Sequence, residues 1–376
     1  MQDTISPISL TQDLVRFNTV NPPGNENLCA AYLASLLEQG GFSTEFHEIA
    51  PGRPNLIARM QGTADTLPLC FSGHLDTVPL GAAPWTKDPF DGTIEGDRIY
   101  GRGTTDMKGG LAAIVIAALR IAKLSNGSAN LLLVVTASEE TGCEGAYHLM
   151  QAGTILGRAG AVVVGEPTSN YPLVGHKGAM FLEAHATGIA AHGSMPEKGS
   201  NAIYKAARAV TKLENFDFDI SPHSIYGMPS LNVGTIQGGT NINSVPDRAF
   251  VGIDVRTIPG QSNKDVYRRL QAYLGDEIEL ITITNAEGFS TDPENEWVRH
   301  VYDVVERHSG KRPVARGATY FTDASSLQPA LGNPPTILLG PGEPDMAHKT
   351  DEYCSISKIE AAVELYYELG CAWCGL

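Results

Sequence analysis

The sequence predicts an α/β protein in which a mixed, mostly parallel sheet is flanked by helices and interrupted by a smaller inserted α+β domain. Three observations carry this expectation. Short, continuous apolar runs alternate with helix-patterned stretches through the first half of the chain. A middle stretch reads instead as strand, helix, strand, strand, helix, strand. The first pattern then resumes, with one more apolar run and a last amphipathic helix.

In order along the chain, residues 27–39 place Leu28, Ala31, Leu33, Leu36 and Leu37 at near-helical spacing. Strand-like runs follow at 55–60 and 67–72, and a Gly-Gly pair opens a helix rich in Ala, Ile and Leu over 108–123. The runs at 130–136 (NLLLVVT), 161–164 (AVVV) and 336–339 (TILL) are apolar without alternation, which suits strands buried on both faces of a parallel sheet. A final helix is expected over 357–369. In the middle, strands at 180–186, 230–237, 249–257 and 278–284 and helices at 201–213 and 263–274 make a β-α-β-β-α-β unit. The expected domains are therefore 1–178 with 286–376, and an insertion of 179–285.

The chain has 376 residues, of which 42% are hydrophobic, enough for a sizeable core. Lys and Arg number 27 against 42 Asp and Glu, a net charge of -15. Such a chain is repelled by a phosphate backbone, which argues against a nucleic-acid partner. Clustered carboxylates become favourable around divalent cations. No apolar run approaches the roughly 18 residues of a membrane span, and the N-terminus lacks the basic start and apolar core of a signal peptide. Six cysteines give no disulfide framework, and Cys371 and Cys374 form a single CxxC with no second pair. The expectation is free thiols in a reducing cytoplasm.

The chemistry-bearing residues lie just after the apolar runs. GHLDTVP carries His74 and Asp76, GRGTTDMKGG carries Asp106, SEETG carries Glu139 and Glu140, GEPT carries Glu166, and EPDMAHKTDEY carries His348. Four of these five segments directly follow a predicted strand, and ligands of open α/β sheets bind outside the carboxyl ends of strands. Imidazole nitrogen and carboxylate oxygen both suit zinc, and two metals roughly 3.5–4 Å apart need a bridging group such as a carboxylate. In an extended segment His74 and Asp76 point the same way, so Asp76 can bond the far nitrogen of His74. Glu139 and Glu140 point apart, leaving one for metal and one for the reacting water. Each segment alone has an ordinary alternative. HxD arises by chance, Glu-Glu opens solvated helices, Asp106 could cap a helix, Glu166 could sit in a turn, and His348 could be a surface histidine. The joint pattern favours one site.

Taken together, GHLDTVP, GRGTTDMKGG, ASEETG, GEPT and the GPG separated by five residues from His348 strongly resemble the zinc-dependent acetylornithine deacetylase / succinyl-diaminopimelate desuccinylase / aminoacylase family of metallopeptidases. The resemblance runs in order over nearly the whole chain. It implies a zinc-exopeptidase-like fold whose inserted domain serves as lid and homodimer contact. It implies two Zn2+ per chain, with Co2+ or Mn2+ as substitutes. His74, Asp106 and Glu166 would hold the first, and Asp106 (bridging), Glu140 and His348 the second. Asp76 would orient His74, Glu139 would be the general base, and the Asp106–Met107 peptide would be cis. In AHGSMPEKGSNAI, His192 matches a histidine that stabilises the oxyanion, commonly from the partner subunit. The family usually reads His-Ser-Ser there, and His192-Gly193-Ser194 suggests a more flexible loop. Asn243 in NINSVPD and Arg256 in DVRT match substrate-contacting positions, and Asp323 in TYFTDAS lies near another.

The implied activity is removal of an acyl group from a small N-acyl amino acid. GEPTSNYPLVGHKGAM and GPGEPDMAHKTDEY resemble the acetylornithine deacetylase branch most closely. RGATYFTDAS, at 316–325, departs from the Ser-Gly-Gly-Thr-Ser-Asp stretch of the desuccinylase branch. Succinyl-diaminopimelate desuccinylase, dipeptidase and glutamate carboxypeptidase activities are the alternatives. A non-catalytic binding protein on this fold would be expected to lose the base or a ligand, and this chain keeps both.

Overall fold

The computed structural model describes residues 5–62 and 66–376. The chain divides into two compact units. The larger runs up to Gly175 and takes in Ser290–Arg316 and Thr322–Leu376; the smaller comprises His176–Phe289 and Gly317–Phe321. Within the smaller unit, Ala318 bridges His176, its carbonyl accepts the Lys177 N–H at 3.0 Å, and the Phe321 ring packs on Phe181. The sequence reading places 317–321 in the larger domain. Five residues without an apolar run or helix signal give no mark of the excursion.

The larger unit opens with α1 (Pro7–Arg16). Ser6 and Ser9 cap it reciprocally and Pro7 fills the first turn. Next come α2 (Asn27–Gln39), β1 (Ser43–Ala50), β2 (Arg53–Met60), β3 (Leu69–His74), α3 (Gly109–Leu124), β4 (Leu131–Thr136), α4 (Glu144–Gln151) and β5 (Ala161–Val164). The smaller unit contributes β6 (Ala179–Thr187), α5 (Ala202–Glu214), β7 (Ser230–Gly238), β8 (Arg248–Arg256), α6 (Asn263–Leu274) and β9 (Ile278–Ala286). The chain closes with α7 (Glu296–Ser309), α8 (Ala324–Ala330), β10 (Thr336–Leu338) and α9 (Ile356–Cys374).

The central sheet has the order β1-β2-β4-β3-β5-β10. The β1–β2 and β2–β4 pairs are antiparallel, and the other three are parallel. Every residue of β3, β4, β5 and β10 is buried, which suits the apolar runs of β4 and β5 and includes the polar Ser72 and His74 of β3. Each Leu or Val so withdrawn contributes roughly 1.5–3 kcal/mol. β1 has no buried residue, and its polar edge sequence left no strand signal. Helices cover both faces. Phe71 meets Tyr366 of α9 edge-on at 5.7 Å, whereas Asn55 donates to Gly145 O in α4.

The smaller unit is an antiparallel sheet of order β7-β8-β6-β9 with the predicted βαββαβ sequence of elements. Met180, Leu182, Ala184 and Ala186 of β6 alternate inward with Ala249, Val251, Ile253 and Val255 of β8. They pack on Ala202, Ala206, Ala209 and Leu213 of α5 and on Val266, Leu270 and Leu274 of α6. Asn201 and Ser262 cap the two helices. Among the described residues, no helix is long and apolar enough to cross a membrane.

Candidate metal centre

The ends of the parallel strands carry the chemistry of the larger unit. His74 is the last residue of β3 and pairs in register with Thr136, the last of β4. Glu139 and Glu140 follow in the loop before α4, and Glu166 follows β5 by two residues. His348 lies in the turn after β10, at φ 64. Asp106 sits in the tight turn Thr104–Lys108 at φ -126, ψ 95, outside helical geometry. It does not cap α3, whose N-cap is Lys108 with no side-chain cap bond.

Asp106 stands between two histidines. Its Oδ1 is 3.1 Å from His74 Nε2 and its Oδ2 is 3.3 Å from His348 Nε2. His348 Nε2 is 3.0 Å from Glu140 Oε2, and His74 Nε2 is 3.9 Å from Glu166 Oε1. One ligand atom each from His74, Asp106 and Glu140 lie within 4.8 Å of one another. The structure thus brings together all five residues that the sequence offers as ligands. Glu139 and Glu140 are not a solvated helix start, since both carboxylates are buried. His348 is half-exposed.

The supporting groups differ in detail from the sequence expectation. His74 Nδ1 is 2.9 Å from the main-chain carbonyl of Asp76, and the Asp76 carboxylate is farther, at 3.6 Å. The carbonyl therefore holds the ring with its Nε2 lone pair toward Asp106. The Asp76 carboxylate does something the HxD spacing does not reveal. It accepts the main-chain N–H of Glu139 at 2.9 Å and of Glu140 at 3.2 Å, and the Asn21 amide at 2.8 Å. It thereby fixes the loop carrying both glutamates. A second anchor missed in the sequence is Glu352, whose buried carboxylate accepts the N–H groups of Gly103, Thr105 and Asp106. The Asp106–Met107 peptide is cis. Close packing underlies this turn: a Cβ on Gly110 would lie 2.2 Å from Gly165 O, so only glycine lets α3 start against the Glu166 loop.

The electrostatics test whether metal fits. Burial and the Asp106 charge push Glu140 up to about 7, and its Oε1 is buried without a hydrogen-bond partner. Burial and neighbouring carboxylates hold Glu139 and Glu166 well above the usual range. Burial works against charge on His74, yet Asp106, Asp76 and Glu166 outweigh it and raise its pKa well above the ordinary value. Asp106 and Glu140 raise His348 to about 10. Burial would raise the Asp106 carboxyl too, but the His348 and His74 rings hold it below the ordinary carboxylate range. Carboxylates packed this tightly, with an acceptor oxygen left unpaired, are relieved by cations. The donor set of two imidazoles and three carboxylates fits divalent metal. Behind it, Asp323 accepts from Thr136 Oγ1, its Oδ1 is unpaired, and burial raises it to about 6.

His192, Asn243 and Arg256 belong to the smaller unit. His192 pairs with Ser244, its Nδ1 lies 2.8 Å from Ser194 Oγ, and the Gly193 N–H donates to Asn243 O at 2.7 Å. A Cβ on Gly193 would lie 2.8 Å from that same oxygen. Gly193 therefore serves close backbone approach, a role that the His-Gly-Ser spelling alone does not reveal. Arg256 pairs with Asp254 at 2.7 Å and lies over the Phe181 and Phe321 rings at 5.2 and 5.7 Å. It is not a simply solvated strand charge.

Residues 70–370 match peptidase family M20/M25/M40. The chain belongs to that family. It is 33% identical over 342 residues to the acetylornithine deacetylase of Photorhabdus laumondii, covering 87% of this chain and 85% of that protein. It is 31% identical over 396 residues to a Staphylococcus epidermidis protein named "Probable succinyl-diaminopimelate desuccinylase", covering 96% of each. Among solved structures, an M20 family metallo-carboxypeptidase from Sulfolobus solfataricus superposes with a TM-score of 0.83 at 20% identity, covering 99% of this chain and 100% of that one. A Bacillus subtilis structure described as a dinuclear metal binding peptidase of the M20 family has a TM-score of 0.72 at 15% identity, covering 98% of both. The M20 fold and a metallohydrolase activity are therefore those of this chain.

Proposed function

We propose that this M20 hydrolase removes the acyl group from a small N-acyl amino acid, as an acetylornithine-deacetylase-like enzyme. The observation that carries the reading is the division of the Asp106 carboxylate between His74 and His348, with Glu140 and Glu166 beside them. In this proposal His74, Asp106 and Glu166 hold one Zn2+, and Asp106, Glu140 and His348 hold a second. When bound, such a pair supplies Lewis acidity and makes water acidic enough to lose a proton near neutral pH. Glu139 is buried beside the ligands, and burial and the Glu166 charge hold its carboxyl well above the usual range despite the nearby His74. It would take the proton from the attacking water and return it to the leaving amine, acting as base and then acid. His192 would donate to the developing oxyanion, and Asn243 and Arg256 would hold the substrate.

A homodimer through the smaller unit and a cytoplasmic location belong to this same reading. The desuccinylase reading is favoured by the 96% coverage of the staphylococcal relative. Specificity constants for matched N-acetyl, N-succinyl and dipeptide substrates decide between them. The proposal expects the N-acetyl compound to be preferred at least tenfold, and a preference for N-succinyl or dipeptide would reassign the enzyme. Glu139→Ala should keep its metal and lose nearly all turnover; near-parental turnover would remove Glu139 from the mechanism. Mixing Glu139→Ala with His192→Ala should restore activity if the histidine acts across a dimer.

A further inference from the structure

A dense polar arrangement in the larger unit, outside the metal ligands, surrounds Glu352. Arg102 and Glu352 are both fully buried and paired at 2.6 Å through Nη1 and Oε2. Oε2 also accepts the Gly103 N–H at 3.1 Å, and Oε1 accepts those of Thr105 at 2.9 Å and Asp106 at 3.1 Å. The Glu352 carbonyl accepts the Gly101 N–H at 2.9 Å, and Thr105 Oγ1 donates to Tyr353 O at 2.6 Å. Two short segments, 101–106 and 352–353, are thus joined by five hydrogen bonds and one ion pair. Arg102 extends the link by donating to Pro79 O at 3.1 Å, and its guanidinium lies 5.1 Å from the Trp85 ring.

Stability alone does not account for such a pair. Desolvating two full charges roughly cancels their attraction, and an apolar pair of the same volume is often at least as stable. Position does account for it. The first segment ends on Asp106, and the second begins four residues after His348. These two ligands face each other at 3.3 Å, and neither sits on a sheet strand. His74 and Glu166, by contrast, are set by β3 and β5 and share no bond with Glu352.

We propose that Glu352 is a positioning residue that sets the distance between Asp106 and His348, and so governs the affinity of one of the two metals while leaving the other nearly untouched. This rests on the metal-binding reading above. The metal held by Asp106, Glu140 and His348 should depend on Glu352. The metal held by His74, Asp106 and Glu166 should depend on it far less, because the strand-borne ligands remain in place. Removing one acceptor oxygen breaks the clamp without substituting any ligand. In Glu352→Gln an amide NH2 must face either Arg102 and the Gly103 N–H or the N–H groups of Thr105 and Asp106.

The test is a Co2+ titration of the metal-free protein, followed by its visible absorption and by competition with a chelator. The parent should bind two Co2+. Glu352→Gln should bind the first within about threefold of the parent and the second at least tenfold more weakly, with a changed spectrum for that step. Thr105→Val loses only the bond to Tyr353 O and should fold even if Glu352→Gln does not; it should weaken the same step by a smaller factor. Equal weakening of both steps would show a merely structural role and overturn the proposal, as would two parental affinities in folded variants. A parent that binds no Co2+ would instead overturn the metal-binding reading itself.

Discussion

Replacing Asp76 with Asn tests how the catalytic loop is held. The buried carboxylate accepts three hydrogen bonds, from Glu139 N at 2.9 Å, Glu140 N at 3.2 Å and Asn21 Nδ2 at 2.8 Å. Asn has the same shape but one acceptor oxygen. The less costly orientation keeps that oxygen toward Glu140 and Asn21 and turns NH2 toward the Glu139 N–H. One charge-assisted bond is then lost, worth about 1.5–3 kcal/mol, and a buried N–H is left unpaired at about 1–3 kcal/mol. Relief of carboxylate crowding offsets part of this, so the net loss should be about 3 kcal/mol. Urea unfolding of the metal-free protein measures it. The displaced Glu139 main chain should also lower kcat by about 100-fold, the usual consequence of misplacing a reacting group by about 1 Å. If Asp76 instead acted mainly through the His74 ring, Asp76→Asn would weaken metal binding with little change in stability. A loss below about 1 kcal/mol with kcat within threefold of the parent would show that Asp76 does not hold the loop.

Gly110→Ala should be harmful out of proportion to its single methyl. With Gly165 O at 2.2 Å from the new Cβ, α3 and the Glu166 loop must part by about 1 Å, at a cost of about 1–3 kcal/mol; calorimetry and metal titration should both record the change. His176 should impose a pH dependence on stability. Burial lowers its pKa from 6.5 to about 4, so the unfolded chain binds more protons between those values. Its contribution is present above pH 6.5 and is lost as pH falls toward 4, about 3 kcal/mol in all. In His176→Gln the unfolding free energy should therefore fall less steeply over that window, and parallel curves would contradict the assignment.

Much of the site was legible because its residues cluster locally. Each of HLD, SEE and GEP follows an unbroken apolar strand within a few positions, so strand ends and ligands could be read together. The supports were not legible, because their bonds join distant segments. Glu352 reaches Asp106 across 246 positions, and nothing in HKTDEY distinguishes it from a surface acid. Asn21 reaches Asp76 across 55. The HxD spacing pointed to the right residue, but the Asp76 carbonyl lies nearer the ring than its carboxylate, because pleat alternation fixes direction but not which atom lies nearer. In the fold, α2 and the AVVV strand emerged at their observed bounds. α1 was missed because its apolar stripe is only Leu10, Leu14 and Val15, over ten residues opened by the Ser6–Ser9 capping box. β1 was missed because it buries nothing.

Anomalous diffraction from crystals grown with Zn2+ would locate the metals and their ligands. Two peaks are expected in the larger unit, both contacting Asp106, one also contacting His74 and Glu166 and the other Glu140 and His348. A single peak, or two peaks that do not share Asp106, would contradict that arrangement.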